Sequence, residues 1–138
     1  MAWPRVDGLR ALELGSPGEM RAWLNRLVLE GRKRATAGLL DEYAEEQEEL
    51  EHVGERLALV GDDGARVATV EITGVERSRF ADVTWDFAAA EGEDDRDLEE
   101  WRAGHRRFWA GAGTPVTDDT AVVLLRFALV DVVGAPDR

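Results

Sequence analysis

The run AVVLLRFALVDVV at Ala121–Val133 constrains this chain more than any other segment. It combines β-branched and large apolar residues with no internal glycine or proline, so it predicts a strand, and a central one. A second segment is as definite in the helical period. Ser16 suits an N-cap, Pro17 the first helical position, and Glu19 completes an S-x-x-E capping box. Met20, Trp23, Leu24, Leu27 and Val28 then recur on one face, and Gly31 supplies a left-handed residue at the C-terminal end.

The remaining segments fit between these two. Residues 1–15 have no clear period and read as a leader crossing the surface. After Gly31 comes a basic turn and a short apolar strand in GRKRATAGLL, then an acidic, helix-prone stretch, DEYAEEQEEL, that reads as a solvated surface helix. Arg56–Val60 and Ala65–Val75 form a strand pair joined by the hairpin signal GDDG at 61–64. In the second of these strands Val67, Thr69, Glu71, Thr73 and Val75 share one face, and Ala68, Val70 and Ile72 share the other. Thr84–Ala90 is helical and stops at Glu91-Gly92-Glu93; Asp97 caps a last helix through Trp109. The order predicts an α+β domain around a small, mainly antiparallel sheet or barrel. Its expected divisions are a leader at 1–15, one domain at 16–133 and a tail at 134–138.

Composition narrows the chemistry. A chain of 138 residues suits a single domain. The absence of cysteine excludes a disulfide framework, a redox pair, a thiolate zinc site and a cysteine nucleophile. His52 and His105 are the only histidines, too few for most imidazole metal sites. No apolar run is long enough to span a bilayer and no signal peptide opens the chain, so a cytoplasmic protein without membrane contact is expected. The formal charge of −12 disfavours a long phosphate-tracking groove and makes a small nucleoside or short RNA the easier partner.

Lys33 is the only lysine, against sixteen arginines. Lysine can give up its proton when desolvated and serve as base or nucleophile, which arginine cannot. It sits in Gly31-Arg32-Lys33-Arg34-Ala35-Thr36, where flanking cations are expected to depress its pKa and Thr36 offers a hydroxyl three residues on. The same cluster also reads as cations complementing a helix C-terminus. Downstream, Ala90-Glu91-Gly92-Glu93-Asp94-Asp95 places carboxylates at a loop edge. They either face the lysine or form a solvated acidic loop; Glu71 on the long strand is a competing acid, and the spacing is wrong for an EF-hand. Trp101 and His105, one helical turn apart, read as a core tryptophan beside a satisfied histidine. No P-loop, G-x-G-x-x-G, G-x-S-x-G or H-E-x-x-H is present.

Together these residues resemble a known family. Gly31-x-Lys33-x-x-Thr36 at the end of an amphipathic helix resembles the G-x-K-x-x-T signature of ASCH domains. Ala90-Glu91-Gly92-Glu93, Trp101-x-x-x-His105 and Arg126-Phe127 follow in the order seen in its longer bacterial members. The resemblance implies a small PUA-like, mainly antiparallel β-barrel with flanking helices and a cleft for RNA or a nucleoside. It also implies a metal-independent amidohydrolase that removes the acyl group from N4-acylated cytidine or a related nucleoside, without a cofactor. Lys33, Thr36 and Glu93 would be catalytic, with Lys33 the base; Trp23, Arg32, Arg34, Glu71, Glu91 and Arg126 would hold the substrate. A non-catalytic RNA or modified-base binding module and a ribonuclease are the other activities the family suggests.

Overall fold

The computed structural model describes residues 2–134; within the expected C-terminal tail, residues 135–138 lie outside them. In chain order the elements are β1 (Arg5–Val6), β2 (Leu9–Leu12), α1 (Glu19–Leu29), β3 (Ala35–Leu39), α2 (Leu40–Glu45), β4 (Arg56–Val60) and β5 (Arg66–Arg79), followed by a 3-10 turn (Phe80–Asp82), α3 (Trp85–Ala90), α4 (Leu98–Gly111) and β6 (Ala121–Val132). The strands form one sheet in the order β1-β2-β4-β5-β6-β3. Neighbours are antiparallel except β2 and β4, which run parallel.

β6 lies inside the sheet, paired on both sides, as its sequence predicts, although next to the edge strand β3 rather than at the middle. Its alternation feeds two cores. Val123, Leu125 and Phe127 pack with Leu24, Leu27 and Val28 of α1 and with Val70 and Ile72 of β5. Val122 and Leu124 face the other way, onto Phe80, Phe87, Trp101 and Trp109 around α3 and α4. Over Val122–Leu125 the strand is covered on both faces, which needs apolar residues at successive positions; beyond Phe127 it emerges, and Ala128–Asp131 are exposed although mostly apolar.

The sheet departs from a barrel. β1 and β3 are its two edges and share no ladder. Closure would have to join the β2 side to β3, but residues of both strands, Ala11 and Leu12 of β2 and Thr36 and Gly38 of β3, line a cavity together with Phe108 and Trp109 of α4. With no ladder between them, β2 and β3 both border this cavity, which side chains of α4 also line.

Three local expectations are corrected. Residues 5–12 are not a surface leader: they form a short hairpin, and β2 pairs with β4 through Arg10–Leu57, Ala11–Ala58 and Leu12–Leu59. α1 begins after Gly18 (φ +103) rather than after Ser16, and the Ser16 hydroxyl makes no cap. The Gly18 amide is instead satisfied by Asp62 at 2.8 Å, from the β4–β5 hairpin, a donor–acceptor match that no local pattern contains. Finally, β5 continues to Arg79, and a register shift between Ile72 and Gly74 brings Val75 onto the same core as Val70 and Ile72, which strict alternation had placed opposite it.

Candidate functional site

The site is built where α1 ends. Gly31 adopts φ +76, and the amides of Arg32 and Lys33 both bond back to the Leu27 carbonyl, at 2.9 and 3.1 Å. This turn sends successive side chains to opposite sides. Lys33 enters the interior, with 2% of its surface exposed, while Arg32 and Arg34 stay outside. Arg32 bonds Asp94 at 2.9 Å, and Arg34 lies in a separate groove with Arg126 and Asp86.

The partners of Lys33 arrive from the end of α3. Thr84 caps that helix by accepting the Phe87 amide, and the Arg34 amide bonds the Ala90 carbonyl at 2.8 Å, which fixes the two segments edge to edge. Gly92 follows with φ +66 and packs directly on the Arg32 backbone. On either side of it Glu91 and Glu93 turn toward the same ammonium group. Lys33 Nζ donates to Glu91 Oε2 at 2.9 Å and to Glu93 Oε2 at 2.6 Å. The other Glu91 oxygen accepts from Trp101 Nε1 at 2.7 Å and faces His105 Nε2 at 3.2 Å. Only 1% of Glu91 is exposed, so this carboxylate is held entirely by protein donors.

His105 stacks on Trp101 with ring centroids 4.0 Å apart, and its Nδ1 lies 2.9 Å from the Trp101 carbonyl oxygen. Both ring nitrogens thus meet acceptors, the arrangement that an imidazolium satisfies. Trp101 and His105 are more than a packed pair: they carry the inner half of the charge network. The i, i+4 spacing that suggested packing was also the signal for this, since it aims both side chains at one oxygen.

The protonation states follow from these neighbours. Burial alone would lower the pKa of Lys33, but Glu91 and Glu93 outweigh it and raise it above the ordinary lysine value. The expected depression by Arg32 and Arg34 is therefore corrected: the charges that reach the amine are carboxylates. Burial works against the charged form of Glu91, yet Lys33 and His105 hold it well below the carboxylate range. Glu93 is pushed up to about 7 by burial, which outweighs the opposing attraction of Lys33, and by the adjacent Glu91 charge. Burial opposes the charge on His105 as well, and Glu91 raises it. The result is a charge network in which Glu93 is the member poised to exchange a proton near neutrality.

The network opens on a cleft. Lys33, Glu91, Glu93 and His105 line a cavity of about 220 Å³ that Trp23 and Thr36 also border. Thr36 additionally lines the neighbouring cavity of about 350 Å³ at the open seam of the sheet. Lys33, Thr36, Glu91, Glu93 and Trp23 are thus brought together. Arg32, Arg34 and Arg126 are not, and Glu71 pairs with Arg56 at 3.3 Å, away from both cavities. Sequence reasoning missed Phe108 and Trp109 as cleft walls, and Tyr43 and Glu51, which border the larger cavity. Among the described residues no group of three or more histidines and acids is placed to hold a metal ion.

A family model for the ASCH domain matches residues 10–131. The chain belongs to the ASCH domain family. Among solved structures it is similar to an ASCH domain from Lactobacillus crispatus JV V101, at 30% identity and a TM-score of 0.76, covering 88% of this chain and 79% of that one. It is also similar to protein EF3133 from Enterococcus faecalis V583, at 28% identity and a TM-score of 0.77, covering 91% and 83%. The fold extends to an ASCH protein of Zymomonas mobilis, solved as a tyrosine-to-phenylalanine mutant, at 8% identity and a TM-score of 0.52, over 78% of this chain and 63% of that one. No curated protein matches the chain. The G-x-K-x-x-T and A-E-G-E segments of this ASCH domain are the two that meet at the buried lysine. No helix among the described residues is long and apolar enough to cross a membrane.

Proposed function

We propose that this ASCH domain is a metal-independent amidohydrolase that removes the acyl group from an N4-acylated cytidine or related nucleoside. The observation that carries the reading is the Lys33 ammonium held 2.6 Å from Glu93, in the wall of a cleft that Thr36 shares. Such a pair combines a fixed positive charge with a carboxyl that titrates near 7. The aromatic walls Trp23, Phe108 and Trp109 suit a planar base.

In this scheme the Thr36 hydroxyl oxygen adds to the acyl carbon, and its proton passes through the Lys33–Glu93 pair to Glu93. Lys33 stabilises the charge developing on the carbonyl oxygen. Collapse breaks the C–N bond, the proton on Glu93 goes to the departing exocyclic nitrogen, and the acyl group remains on Thr36 as an ester. Water adds to that ester and gives Glu93 a proton; collapse frees the carboxylic acid and returns the proton to Thr36. The role first expected of Lys33 as base thus moves to Glu93, because the amine is already held protonated. Arg32, Arg34, Glu71 and Arg126 have no place in this scheme.

The test is cytidine release from N4-acetylcytidine by the purified chain. Release is expected, with loss in Thr36→Ala and in Lys33→Ala, folding of each being checked by circular dichroism. Folded wild-type protein that binds the nucleoside and releases nothing would replace the hydrolase with a binding module. Cleavage of RNA with steep salt dependence would favour a ribonuclease.

A further inference from the structure

The larger cavity has no part in the scheme above, yet it adjoins the reacting end and shares walls with it. Leu14, Gly15, Thr36, Ala37, Phe108 and Trp109 border both cavities, so a ligand placed with its carbonyl at Lys33 and Thr36 extends past β3 into the larger chamber. The volumes of about 350 and 220 Å³ fit a ligand of nucleoside size rather than a free base.

The chamber's polar groups have one character. Glu13, Glu42 and Glu51 line it, and Arg21 is its only lining cation among the described residues. That guanidinium is already used: it donates to the carbonyls of Leu14 and Gly15 at 3.0 and 3.1 Å and lies near Asp62 at 3.6 Å. A phosphate would find carboxylates and no free cation. Glu51, in contrast, is a buried acceptor held in place. Its Oε1 accepts from the Tyr43 hydroxyl at 2.8 Å, and Tyr43 is itself set edge-on against Trp3 with centroids 4.8 Å apart. The nearest cation to Oε2 is Arg10 at 3.7 Å, beyond hydrogen-bond reach, which leaves that oxygen with acceptor capacity.

We propose that Glu51, positioned by Tyr43, is the specificity residue of the chamber: it accepts the ribose hydroxyls of an unphosphorylated nucleoside, and the surrounding carboxylates exclude 5′-phosphorylated nucleotides and RNA. The inference rests on the placement of the acyl group at Lys33 and Thr36. A paired ribose diol supplies two O–H donors to one carboxylate, the chemistry that an acid-lined chamber whose one lining cation, Arg21, is already engaged rewards.

The experiment compares cytidine, 2′-deoxycytidine and cytidine 5′-monophosphate by titration of tryptophan fluorescence on the full chain, alongside cytidine release from N4-acetylcytidine and acetate release from N4-acetylcytosine. Cytidine should bind about tenfold or more tightly than either analogue, the scale of one hydrogen bond to a charged group. Glu51→Gln should shrink the preference over 2′-deoxycytidine, and Tyr43→Phe, which keeps the ring, should weaken it in the same direction. Both variants should still release acetate from N4-acetylcytosine, which has no ribose. Monophosphate binding as tight as cytidine, an unchanged ribose preference in Glu51→Gln, or no binding of any of the three overturns the proposal. Hydrolysis without this ranking would leave the amidohydrolase standing and remove the chamber's role; the ranking without hydrolysis of either acyl substrate would do the reverse.

Discussion

A Cβ on Gly92 would stand 2.1 Å from the carbonyl oxygen of Arg32 and 3.0 Å from the Lys33 nitrogen. The α3 turn is therefore pressed against the loop after α1 with no room for a side chain, and that contact lets residues on both sides of Gly92 reach one ammonium group. Its φ of +66 adds a conformational cost for any other residue. Gly92→Ala should lose about 3 kcal/mol or more in urea denaturation, combining the left-handed strain with the backbone clash. A loss below about 1 kcal/mol, the left-handed penalty alone, would mean the two segments can separate without cost.

Removing the lysine tests the same junction from the other side. Lys33→Met would take from Glu91, almost fully buried, and from Glu93 the ammonium group that both pair with. A buried pair broken at one member typically costs about 3–5 kcal/mol. Without Lys33 the burial of Glu93 favours its protonated form still more, so the double variant Lys33→Met with Glu93→Gln should recover part of this loss at alkaline pH, where the neutral amide removes a stranded carboxylate, and little near neutrality. An additive double variant would show that Lys33 and Glu93 are not coupled.

Glu93 makes stability and activity move in opposite directions with pH. Its folded value is about 7 against an ordinary 4.5, so between these the folded chain holds a proton that the unfolded chain has lost. The stability this carboxyl contributes is fully present below 4.5 and is lost as pH rises through about 7. Melting temperatures of wild type and Glu93→Gln should diverge across that window, the variant showing the shallower decline. In the proposed scheme Glu93 must be ionised to accept the first proton, so cytidine release should rise through about pH 7.

His105 gives a separable signature. With Nδ1 facing the Trp101 carbonyl and Nε2 facing Glu91, both nitrogens should carry protons at neutral pH, which nitrogen-15 chemical shifts of the imidazole would report. Its pKa is raised above the ordinary 6.5, so its contribution is fully present below 6.5 and is lost as pH rises through the folded value. His105→Ala should cost about 1–3 kcal/mol at pH 6, the penalty for leaving a buried carboxylate short of one donor, and less at pH 9. A neutral imidazole at pH 6 would contradict the assignment.

Much of this protein was legible before its structure. The apolar run at Ala121–Val133 predicted an interior strand, Asp97 announced α4, and Gly31 marked the end of α1, because strand burial and helix capping depend on residues near one another in sequence. The solitary Lys33 and the A-E-G-E turn were equally visible as candidates. Their states were not. Local charge density made Arg32 and Arg34 the neighbours that count, yet an extended turn sends alternate side chains to opposite sides, and the charges reaching the amine come from 58 and 60 residues away. The same holds for the Asp62 cap on α1, the open seam where a barrel was expected, and the Tyr43–Glu51 pair. Local sequence settled which residues form each element and where the ionisable groups sit along the chain. Only tertiary structure decided which of them share a buried volume, because burial and Coulomb energy depend on distance through space and not on distance along the backbone.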